Sequence, residues 1–399
     1  MSASESKDTV AYFGQDRTDS KVISRIEHLQ RLGYEVFGLT YHRIKFNREH
    51  KPAWENVDLG VTADYAYFQR ILSVLSGALH MVGRRRRLAD VDFVFARNID
   101  MALLALFSRL ISGNRAPIAY EVLDVHRFFL GERRRNRLFR AVERFVLKHC
   151  DALIVSSEGY IRHYFEPVQG FKGRWFLLEN KVPVGSVHEP ESQAKHRPAT
   201  LGKPWVIGWC GTMRCIESLR MLKEIARRNR DTVRIYMRGH PTETGLDAFK
   251  AAIVDEPNMV YAGGYKGPDD LAEVYAEVDI NWTIELWDQS YHSKNSNWLL
   301  PNRLYEGGCF HIPMITLKGT ETAYRVEKLE AGWVLDAPLV DSVSHLLQTL
   351  TPEDYQAKRD KLKALPASTF WEVDDLENIC NELLALRAPN PDKEVMVGA

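Results

Sequence analysis

Three residues near position 305 have the types and spacing to hold a ligand that carries phosphates and hydroxyl groups. Arg303, Glu306 and Gly307 lie in the stretch LPNRLYEGGCFHIPMIT, residues 300–316. Pro301 suits the first turn of a helix, because its missing N–H would be unpaired there in any case. The stretch therefore predicts a loop, a short helix and a buried strand. Near the start of that helix, a carboxylate can accept two hydroxyl hydrogen bonds and an arginine can bind a diphosphate, while a glycine lets backbone or ligand come close.

A second group, Gly211-Thr212-Met213-Arg214, follows an apolar run and precedes a helical pattern that extends to about Arg228. We expect this group to open the helix, so that free N–H groups and the positive end of the helix dipole face an anion. Gly211, Thr212 and Arg214 are therefore candidate contacts for a diphosphate. In the alternative interpretation, Arg214 and Arg303 are surface residues that pair with acids, and the helix dipole alone favours a glutamate at 306.

A third group lies in the first half of the chain, where Asp124 and His126 follow a buried strand predicted over 118–123. Open α/β sheets bind their ligands at the C-terminal ends of the strands. A carboxylate or an imidazole at that position can take the proton of an attacking hydroxyl, so both residues are candidate catalytic groups and either could be the base. Alternatively, Asp124 caps the next segment and His126 is a polar loop residue.

We expect no metal site and a cytoplasmic location. The D-x-D pattern of Asp90 and Asp92 stands before a strand, which is the wrong end for a ligand of a parallel sheet. The five cysteines include no C-x-x-C and no zinc spacing, and an odd, scattered set favours a reducing compartment. The first eight residues lack the apolar core of a signal peptide, and the apolar run 71–83 is too short to span a bilayer.

The elements that would position these groups alternate between short apolar runs and helical periodicity in both halves of the chain. This alternation over 399 residues predicts an α/β protein with two Rossmann-like domains, each built on a parallel sheet. We assign 1–182 to the first domain, the Pro- and Gly-rich segment 183–204 to a linker and 205–387, including the C-terminal helices, to the second domain. Residues 388–399 are expected to form a disordered tail.

The charges of the two halves differ. Residues 1–190 hold 29 Lys and Arg against 22 Asp and Glu, while the remainder holds 24 against 31, so the net charges are +7 and −7. The basic excess predicts an anionic membrane surface as a partner, and the arginines proposed to face it are Arg84, Arg85, Arg86, Arg87, Arg137, Arg140 and Arg144. The alternative is a solvated basic face above apolar stripes that point inward. No nucleic acid is expected, because the total charge is zero and no recognition motif occurs.

The pattern P-N-R-L-Y-E-G-x-x-x-x-I-P-M-I at 301–315 resembles the nucleotide-sugar segment of GT-B glycosyltransferases, in particular the family 4-like enzymes of bacterial surface-polysaccharide synthesis. The resemblance implies two domains that face each other across a cleft. The second would bind a UDP- or GDP-sugar, with Glu306 on the ribose and Arg214 and Arg303 on the diphosphate. The first would bind a lipid-linked or saccharide acceptor. It implies no metal and no cofactor, and a peripheral location on the inner face of the plasma membrane.

Two departures from the family pattern leave other functions open. His311-Ile312 stands where a glycine usually precedes the proline, and Trp298 occupies the position of a second glutamate found in many retaining members. A GT-B epimerase or hydrolase that acts on the donor itself is one alternative, and a non-catalytic nucleotide-binding scaffold is another. The sequence does not distinguish UDP from GDP, the sugar, the acceptor, retention from inversion, or the oligomeric state.

Overall fold

The computed structural model of the chain describes residues 7–43, 51–62, 67–186, 204–242, 244–286 and 294–387. These residues divide into two compact units. The first runs to Leu178 and resumes at Asp374, and the second is Glu179–Val373. Most of the predicted linker (187–203) and the predicted tail (388–399) lie outside the described residues.

The first unit is built on a seven-stranded parallel sheet. Its strands are β1 (Thr9–Gly14), β2 (Glu35–His42), β3 (Glu55–Val61), β4 (Phe93–Arg97), β5 (Ile118–Val122), β6 (Ala152–Val155) and β7 (Trp175–Leu177). Their order is β3-β2-β1-β4-β5-β6-β7, which contains the strand order of a Rossmann half. Strand β3 was not predicted, although Val57, Leu59 and Val61 alternate with less apolar residues; only Leu59 of these is buried, as suits an edge strand.

Seven helices accompany this sheet among the described residues before Leu178. They are α1 (Ser20–Arg31), α2 (Tyr67–Val82), α3 (Arg85–Ala89), α4 (Ile99–Ser112), α5 (Arg127–Leu130), α6 (Arg134–His149) and α7 (Glu158–Tyr160), the last continued by a π-helical turn, Ile161–Phe165. Helix α1 illustrates how they form. The Asp19 side chain caps it by accepting from the backbone N–H groups of Lys21 and Val22.

The second unit repeats the plan with a six-stranded parallel sheet and a two-stranded one. The strands are β8 (Val182–Pro183), β9 (Trp205–Met213), β10 (Val233–Pro241), β11 (Met259–Tyr261), β12 (Ile280–Trp282), β13 (Met314–Leu317), β14 (Gly332–Leu335) and β15 (Trp371–Glu372). The larger sheet has the order β11-β10-β9-β12-β13-β14, and β8 pairs with β15. Strands β9 and β12 lie at its centre, so their C-terminal ends are the natural place for a ligand.

The helices of the second unit are α8 (Ile216–Arg228), α9 (Leu246–Ile253), α10 (Leu271–Ala276), α11 (Lys294–Trp298), α12 (Asn302–Cys309), α13 (Glu321–Lys328), α14 (Leu339–Thr349) and α15 (Pro352–Ala364), followed by a 3-10 turn, Ala367–Thr369. They pack on both faces of the sheet over two apolar clusters. Trp209, Ile235 and Trp282 belong to one cluster, and Val274, Leu304 and Met314 belong to the other.

The C-terminal helix α16 (Asp375–Ala385) corrects the predicted domain boundary. We assigned all C-terminal helices to the second domain, but α16 belongs to the first unit. Its apolar face, formed by Leu376, Ile379, Cys380 and Leu383, packs into the core that contains the strand residues of β1 and β4. Neighbours in the chain are usually neighbours in space, and a helix that returns to the other sheet breaks that rule without a local signal.

Helix α6 turns a different face inward from the one that its apolar residues predict. Their helical spacing predicts that Leu138, Val142 and Phe145 face inward, but 66% of Leu138 and 52% of Phe145 are exposed. Glu143 is buried in their place, next to Val146 and Leu147. A buried carboxyl needs hydrogen bonds, and Glu143 receives them from the hydroxyls of Tyr120 and Tyr164 and from the side-chain amide of Gln169.

Glu143 makes the stability of the protein depend on pH. Burial raises the pKa of its carboxyl from 4.5 to about 7, against the downward effect of its hydrogen bonds. Between these values the folded protein retains a proton that the unfolded chain has released, so the free energy of unfolding falls as pH rises. We expect Glu143→Gln to remove this dependence, which amounts to about 3 kcal/mol over the window.

Urea unfolding of the wild type and of Glu143→Gln at several pH values from 4.5 to 8 measures this effect. The exposed Glu132→Gln serves as the matched control in the same unit. The prediction is wrong if the difference in unfolding free energy between wild type and Glu143→Gln stays constant across that range.

Candidate functional site

The C-terminal end of β9 differs from its prediction. Gly211, Thr212 and Met213 do not open a helix, since they continue the strand and pair with Gly239, His240 and Pro241 of β10. Both glycines have positive φ, and a side chain on Gly239 would collide with the carbonyl oxygen of Gly211. Helix α8 begins only at Ile216 and is capped by the thiol of Cys215. The segment that we expected to contact a diphosphate at a helix start is therefore the extended end of a strand that precedes a helix.

Glu285 joins three of the predicted residues and was itself missed. One of its oxygens pairs with the guanidinium of Arg303, and the other lies 4.0 Å from Nε of Arg214. Nη2 of Arg303 also lies 3.4 Å from the carbonyl oxygen of Thr212. The structure thus brings Thr212, Arg214 and Arg303 together around one buried carboxylate. The available signal was an acid that directly follows the alternating pattern I-N-W-T-I, residues 280–284, at the ligand-binding end of a strand.

The two arginines are placed differently. The side chain of Arg303 is 6% exposed and points to Glu285, whereas that of Arg214 is 34% exposed. In this structure Arg303 therefore pairs with an acid, as the alternative interpretation predicts. Arg214 has the more accessible guanidinium of the two, which suits it to contact a ligand.

Glu306 lies on α12, within reach of two tyrosines. The hydroxyl of Tyr275 lies 3.3 Å from its Oε2. Tyr265 also hydrogen bonds to Glu306, and burial, followed by the charge of Glu306, raises the pKa of this tyrosine. The Tyr265 hydroxyl would lie 3.8 Å from a side-chain carbon on Gly211, so Glu306 and the end of β9 line the same edge of the sheet.

Gly307 makes α12 pack closely on β12. A side chain at 307 would collide with the amide of Asn281, which donates a 2.6 Å hydrogen bond to the carbonyl oxygen of Arg303. The close approach predicted for this glycine is thus a contact between helix and strand. It fixes where α12 presents Glu306.

In the first unit, Asp124 and His126 follow β5 as predicted, and both are exposed. The hydroxyl of Tyr160 donates a 3.4 Å hydrogen bond to Oδ1 of Asp124. His126, rather than Asp124, caps the next helix: its Nδ1 accepts from the N–H of Phe128 at 3.4 Å, and its ring stacks on the Phe128 ring. An Nδ1 that accepts leaves Nε2 as the protonated nitrogen of a neutral imidazole.

The D-x-D pattern has a structural role at Asp92. This residue is fully buried, accepts a 2.7 Å hydrogen bond from the N–H of Thr9 and pairs with Arg387. Across the described ranges of the chain, no cluster of three or more His, Cys, Asp or Glu side chains is arranged to hold a metal ion.

Helices α2, α4 and α6 pack side by side and expose an apolar and basic surface, which we call the α2–α4–α6 face. Its exposed apolar side chains are Leu75, Leu79, Val82, Leu110, Leu138 and Phe145. Of the arginines predicted to face a membrane, Arg84, Arg85, Arg86, Arg137 and Arg144 are exposed.

Three arginines of that prediction, the exposed Arg144 among them, make contacts within the unit. Arg87 pairs with Glu35 and Glu55, Arg140 donates to backbone carbonyls and Arg144 donates to Gln169. In the alternative interpretation, the apolar stripes under the basic residues point inward. On α2, however, Leu75, Leu79 and Val82 point outward. The side chain of Ile71, the first residue of that stripe, lies outside the described set. None of the helices described is both long and apolar enough to cross a bilayer.

A known protein is similar in sequence to this chain over nearly its whole length. The chain is 35% identical over 386 residues to the succinoglycan biosynthesis protein ExoL of Rhizobium meliloti (strain 1021), an alignment that covers 95% of this chain and 94% of ExoL. No protein-family model matches the chain.

Solved structures share the fold at low identity. WaaG, a glycosyltransferase involved in lipopolysaccharide biosynthesis, superposes with a TM-score of 0.62 at 12% identity over 94% of this chain and 99% of WaaG. Anabaena HepE, solved in complex with UDP and glucose, superposes with a TM-score of 0.66 at 11% identity over 95% of this chain and 100% of HepE.

Two Rossmann-like units of this kind define the GT-B glycosyltransferases, so the predicted fold class is confirmed. With this fold, the chain belongs to the family of the succinoglycan biosynthesis protein ExoL.

Proposed function

We propose that the protein moves a sugar from a UDP- or GDP-sugar to a hydroxyl of a lipid-linked or saccharide acceptor. The observation that carries the proposal is the joint placement of Arg214, Thr212 and Glu306 at the C-terminal edge of β9, where parallel sheets bind ligands. A carboxylate suits the ribose hydroxyls, and an accessible guanidinium suits a diphosphate. The second unit is then the donor domain and the first the acceptor domain.

Arg303 contributes to the donor site through Glu285. Its buried guanidinium neutralises that acid, so that the Glu285 carboxylate competes less with a diphosphate for Arg214. A charged, hydrogen-bonded pair of this kind holds its geometry firmly because neither group can reach water. The predicted contact of Arg303 with the diphosphate remains an expectation, and it requires the pair with Glu285 to open.

On the acceptor side we assign the base to Asp124 and a supporting donor role to His126. The carboxylate of Asp124 is exposed and can accept a proton, while a neutral His126 with its proton on Nε2 can only donate there. The Tyr160 hydroxyl, which donates to Asp124, would orient the carboxylate toward the acceptor hydroxyl.

Turnover of purified protein tests the proposal directly. UDP- and GDP-sugars are supplied with a membrane-lipid extract, and released nucleoside diphosphate is measured with and without EDTA. We expect release that depends on the extract and is unchanged by EDTA, since helix and strand ends with arginine replace a metal at the diphosphate. A changed sugar without added extract would favour the epimerase or hydrolase, and nucleotide binding without turnover would favour the scaffold, for which Trp298 is the motivating residue.

We further propose that the enzyme works in the cytoplasm, bound to the inner face of the plasma membrane through the α2–α4–α6 face. Exposed apolar side chains beside exposed positive charge are the composition of an interfacial surface. Leu79, 76% exposed, and the neighbouring Arg85 and Arg86 would enter the headgroup region together. A lipid-linked acceptor would then be presented at the same surface.

Removal of two arginines from this face should weaken membrane binding. Each Lys or Arg near an anionic surface contributes about 1 kcal/mol, so Arg85→Ala with Arg86→Ala should lower partitioning into phosphatidylglycerol-containing vesicles by about 30-fold. Sedimentation with vesicles measures the bound fraction. Arg220→Ala with Arg234→Ala, both exposed in the second unit, makes the same change in net charge and should have little effect. Equal losses in both double variants would contradict the assignment of the face.

A further inference from the structure

A short helical segment after β6 supports the loop that carries Asp124. Just before this segment, the hydroxyl of Ser156 donates to the carbonyl oxygen of Leu123 at 3.0 Å. Within it, the hydroxyl of Tyr160 lies 3.4 Å from Oδ1 of Asp124. Tyr160 is fully buried while Asp124 is exposed, so the segment contacts the loop from its buried side. A ring packed in this way moves little on its own, and the backbone of the segment therefore decides where the Tyr160 hydroxyl lies.

The segment continues from Tyr160 into the π-helical turn Ile161–Phe165. The N–H of Glu166 closes this turn by donating to the carbonyl oxygen of Ile161 at 3.0 Å. Turns of this kind are rare in proteins and frequently occur at functional sites. Tyr164 lies within the turn, four residues after Tyr160, so a group that holds Tyr164 in place also limits the movement of Tyr160.

Glu143 of α6 is the group that holds Tyr164. It is 1% exposed, and its carboxylate accepts hydrogen bonds from the hydroxyl of Tyr164 and from the side-chain amide of Gln169. The same amide also donates to the oxygen of the Tyr164 hydroxyl at 2.7 Å. Tyr120 of β5 donates to the other carboxylate oxygen at 3.1 Å. Because hydrogen bonds to a buried carboxylate are strong, these contacts tie the π turn both to α6 and to the sheet.

Filling the core does not by itself call for an acid at position 143. Burial of a carboxyl group is costly, and an apolar side chain of similar size would fill the space without that cost. What the carboxylate adds is direction, since a fully satisfied network of buried hydrogen bonds makes the packing around it rigid and unique. The rigid part here includes the π turn behind Asp124.

We propose that Glu143 and Tyr164 are positioning residues for sugar transfer, which hold the π turn so that Tyr160 aligns the carboxylate of Asp124 with the acceptor hydroxyl. The proposal rests on the role proposed above for Asp124 and adds the residues that act through it. A reacting group must be held within about 0.5 Å of its productive position. Hydrogen bonds at such groups are often long before the substrate binds and tighten in the complex, which agrees with the 3.4 Å between Tyr160 and Asp124.

Steady-state kinetics of the full-length Tyr164→Phe variant test the proposal. The variant keeps the buried ring and loses the hydrogen bond to Glu143. We expect kcat for sugar transfer to fall by about two- to tenfold, as for a lost hydrogen bond. The KM for the nucleotide sugar should stay unchanged, because the donor residues lie in the other unit. Tyr41→Phe is the matched control, since it removes a buried tyrosine hydrogen bond of the same unit, to the carbonyl oxygen of Ser73, and should retain wild-type kcat.

A double-mutant cycle distinguishes positioning from a general loss of stability. Tyr160→Phe removes the hydroxyl next to Asp124 and should lower kcat by a similar factor. In the Tyr160→Phe background, Tyr164→Phe should cause no further loss, because both changes act through one contact. If the two losses multiply instead, Tyr164 does not act through Tyr160 and the inference is overturned.

Amide hydrogen exchange measures the π turn without reference to turnover. In Tyr164→Phe, the backbone N–H groups of residues 158–166 should exchange about 10- to 100-fold faster, because a hydrogen bond to a charged group no longer opposes local opening. The same peptide in Tyr41→Phe should exchange as in the wild type. Unchanged exchange in Tyr164→Phe would show that Glu143 does not hold the turn.

The outcomes separate this inference from the proposed function. If Asp124→Asn loses activity while Tyr164→Phe and Tyr160→Phe keep wild-type kcat, the positioning role is wrong and the base assignment stands. If Asp124→Asn retains its activity, the base assignment fails and the positioning role fails with it. If the wild type transfers no sugar, the proposed function fails and no positioning role remains.

Discussion

Replacement of Asp124 by asparagine is expected to lower the turnover number for sugar transfer by about 10²- to 10⁴-fold, the range that a positioned general base contributes. The side chain keeps its size and its hydrogen bond to Tyr160, but an amide cannot take the acceptor proton. Affinity for the nucleotide should not change, because the residues assigned to the donor lie in the other unit. Steady-state release of nucleoside diphosphate, together with calorimetric nucleotide binding, measures both effects.

The control for this variant is Asp90→Asn, an exposed aspartate of the same unit that belongs to the D-x-D pattern. It should retain wild-type turnover. If Asp124→Asn keeps more than about a tenth of the activity, well above the loss expected for a missing general base, Asp124 is not the base. A comparable loss in His126→Ala with Asp124→Asn unaffected would transfer that role to the histidine.

Replacement of Glu306 by alanine is expected to lower kcat/KM by about 10²- to 10⁴-fold. Hydrogen bonds to a charged group contribute about 1.5–3 kcal/mol each, and the alanine variant loses both of the bonds that the carboxylate would accept from the ribose hydroxyls. The effect should be larger for substrate with ribose than for a nucleotide sugar that lacks the 2′-hydroxyl, since the latter has one bond fewer to lose. Initial rates over a range of donor concentrations separate the loss into KM and kcat.

Glu327→Ala, an exposed glutamate on α13 of the same unit, is the matched control and should behave as wild type. Thermal unfolding of Glu306→Ala checks that Tyr265 and Tyr275, which lose their partner, still support the fold. A folded Glu306→Ala protein with undiminished kcat/KM would remove Glu306 from the donor site.

Glu285 shows how a site can extend beyond a family pattern. The residues that the pattern names, Arg303 and Glu306, are three apart on α12, and local spacing is enough to find them. Glu285 comes from the end of β12 and meets Arg303 and Arg214 only because α12 packs back on that strand. No spacing rule connects positions 214, 285 and 303, so only the folded chain brings them together.

Helix α6 and helix α16 show the same limit for packing. The periodicity of α6 correctly predicts a helix, yet its inward face is decided by the donors that Tyr120, Tyr164 and Gln169 bring to Glu143. The apolar face of α16 is equally clear in the sequence, but nothing local tells which of two similar sheets it covers. Both faces depend on partners far away in the chain.

What the sequence determined by itself was the α/β class, the strand ends that precede Asp124 and Arg214, and the short helix that carries Glu306. These follow from short-range periodicity and from the residues that terminate it. Tertiary structure alone decided the outward turn of Leu138 and Phe145, the return of α16 and the place of Glu285. Each of these depends on which distant groups exclude water or supply a hydrogen bond, and that information is spread over the whole chain rather than held in any one segment.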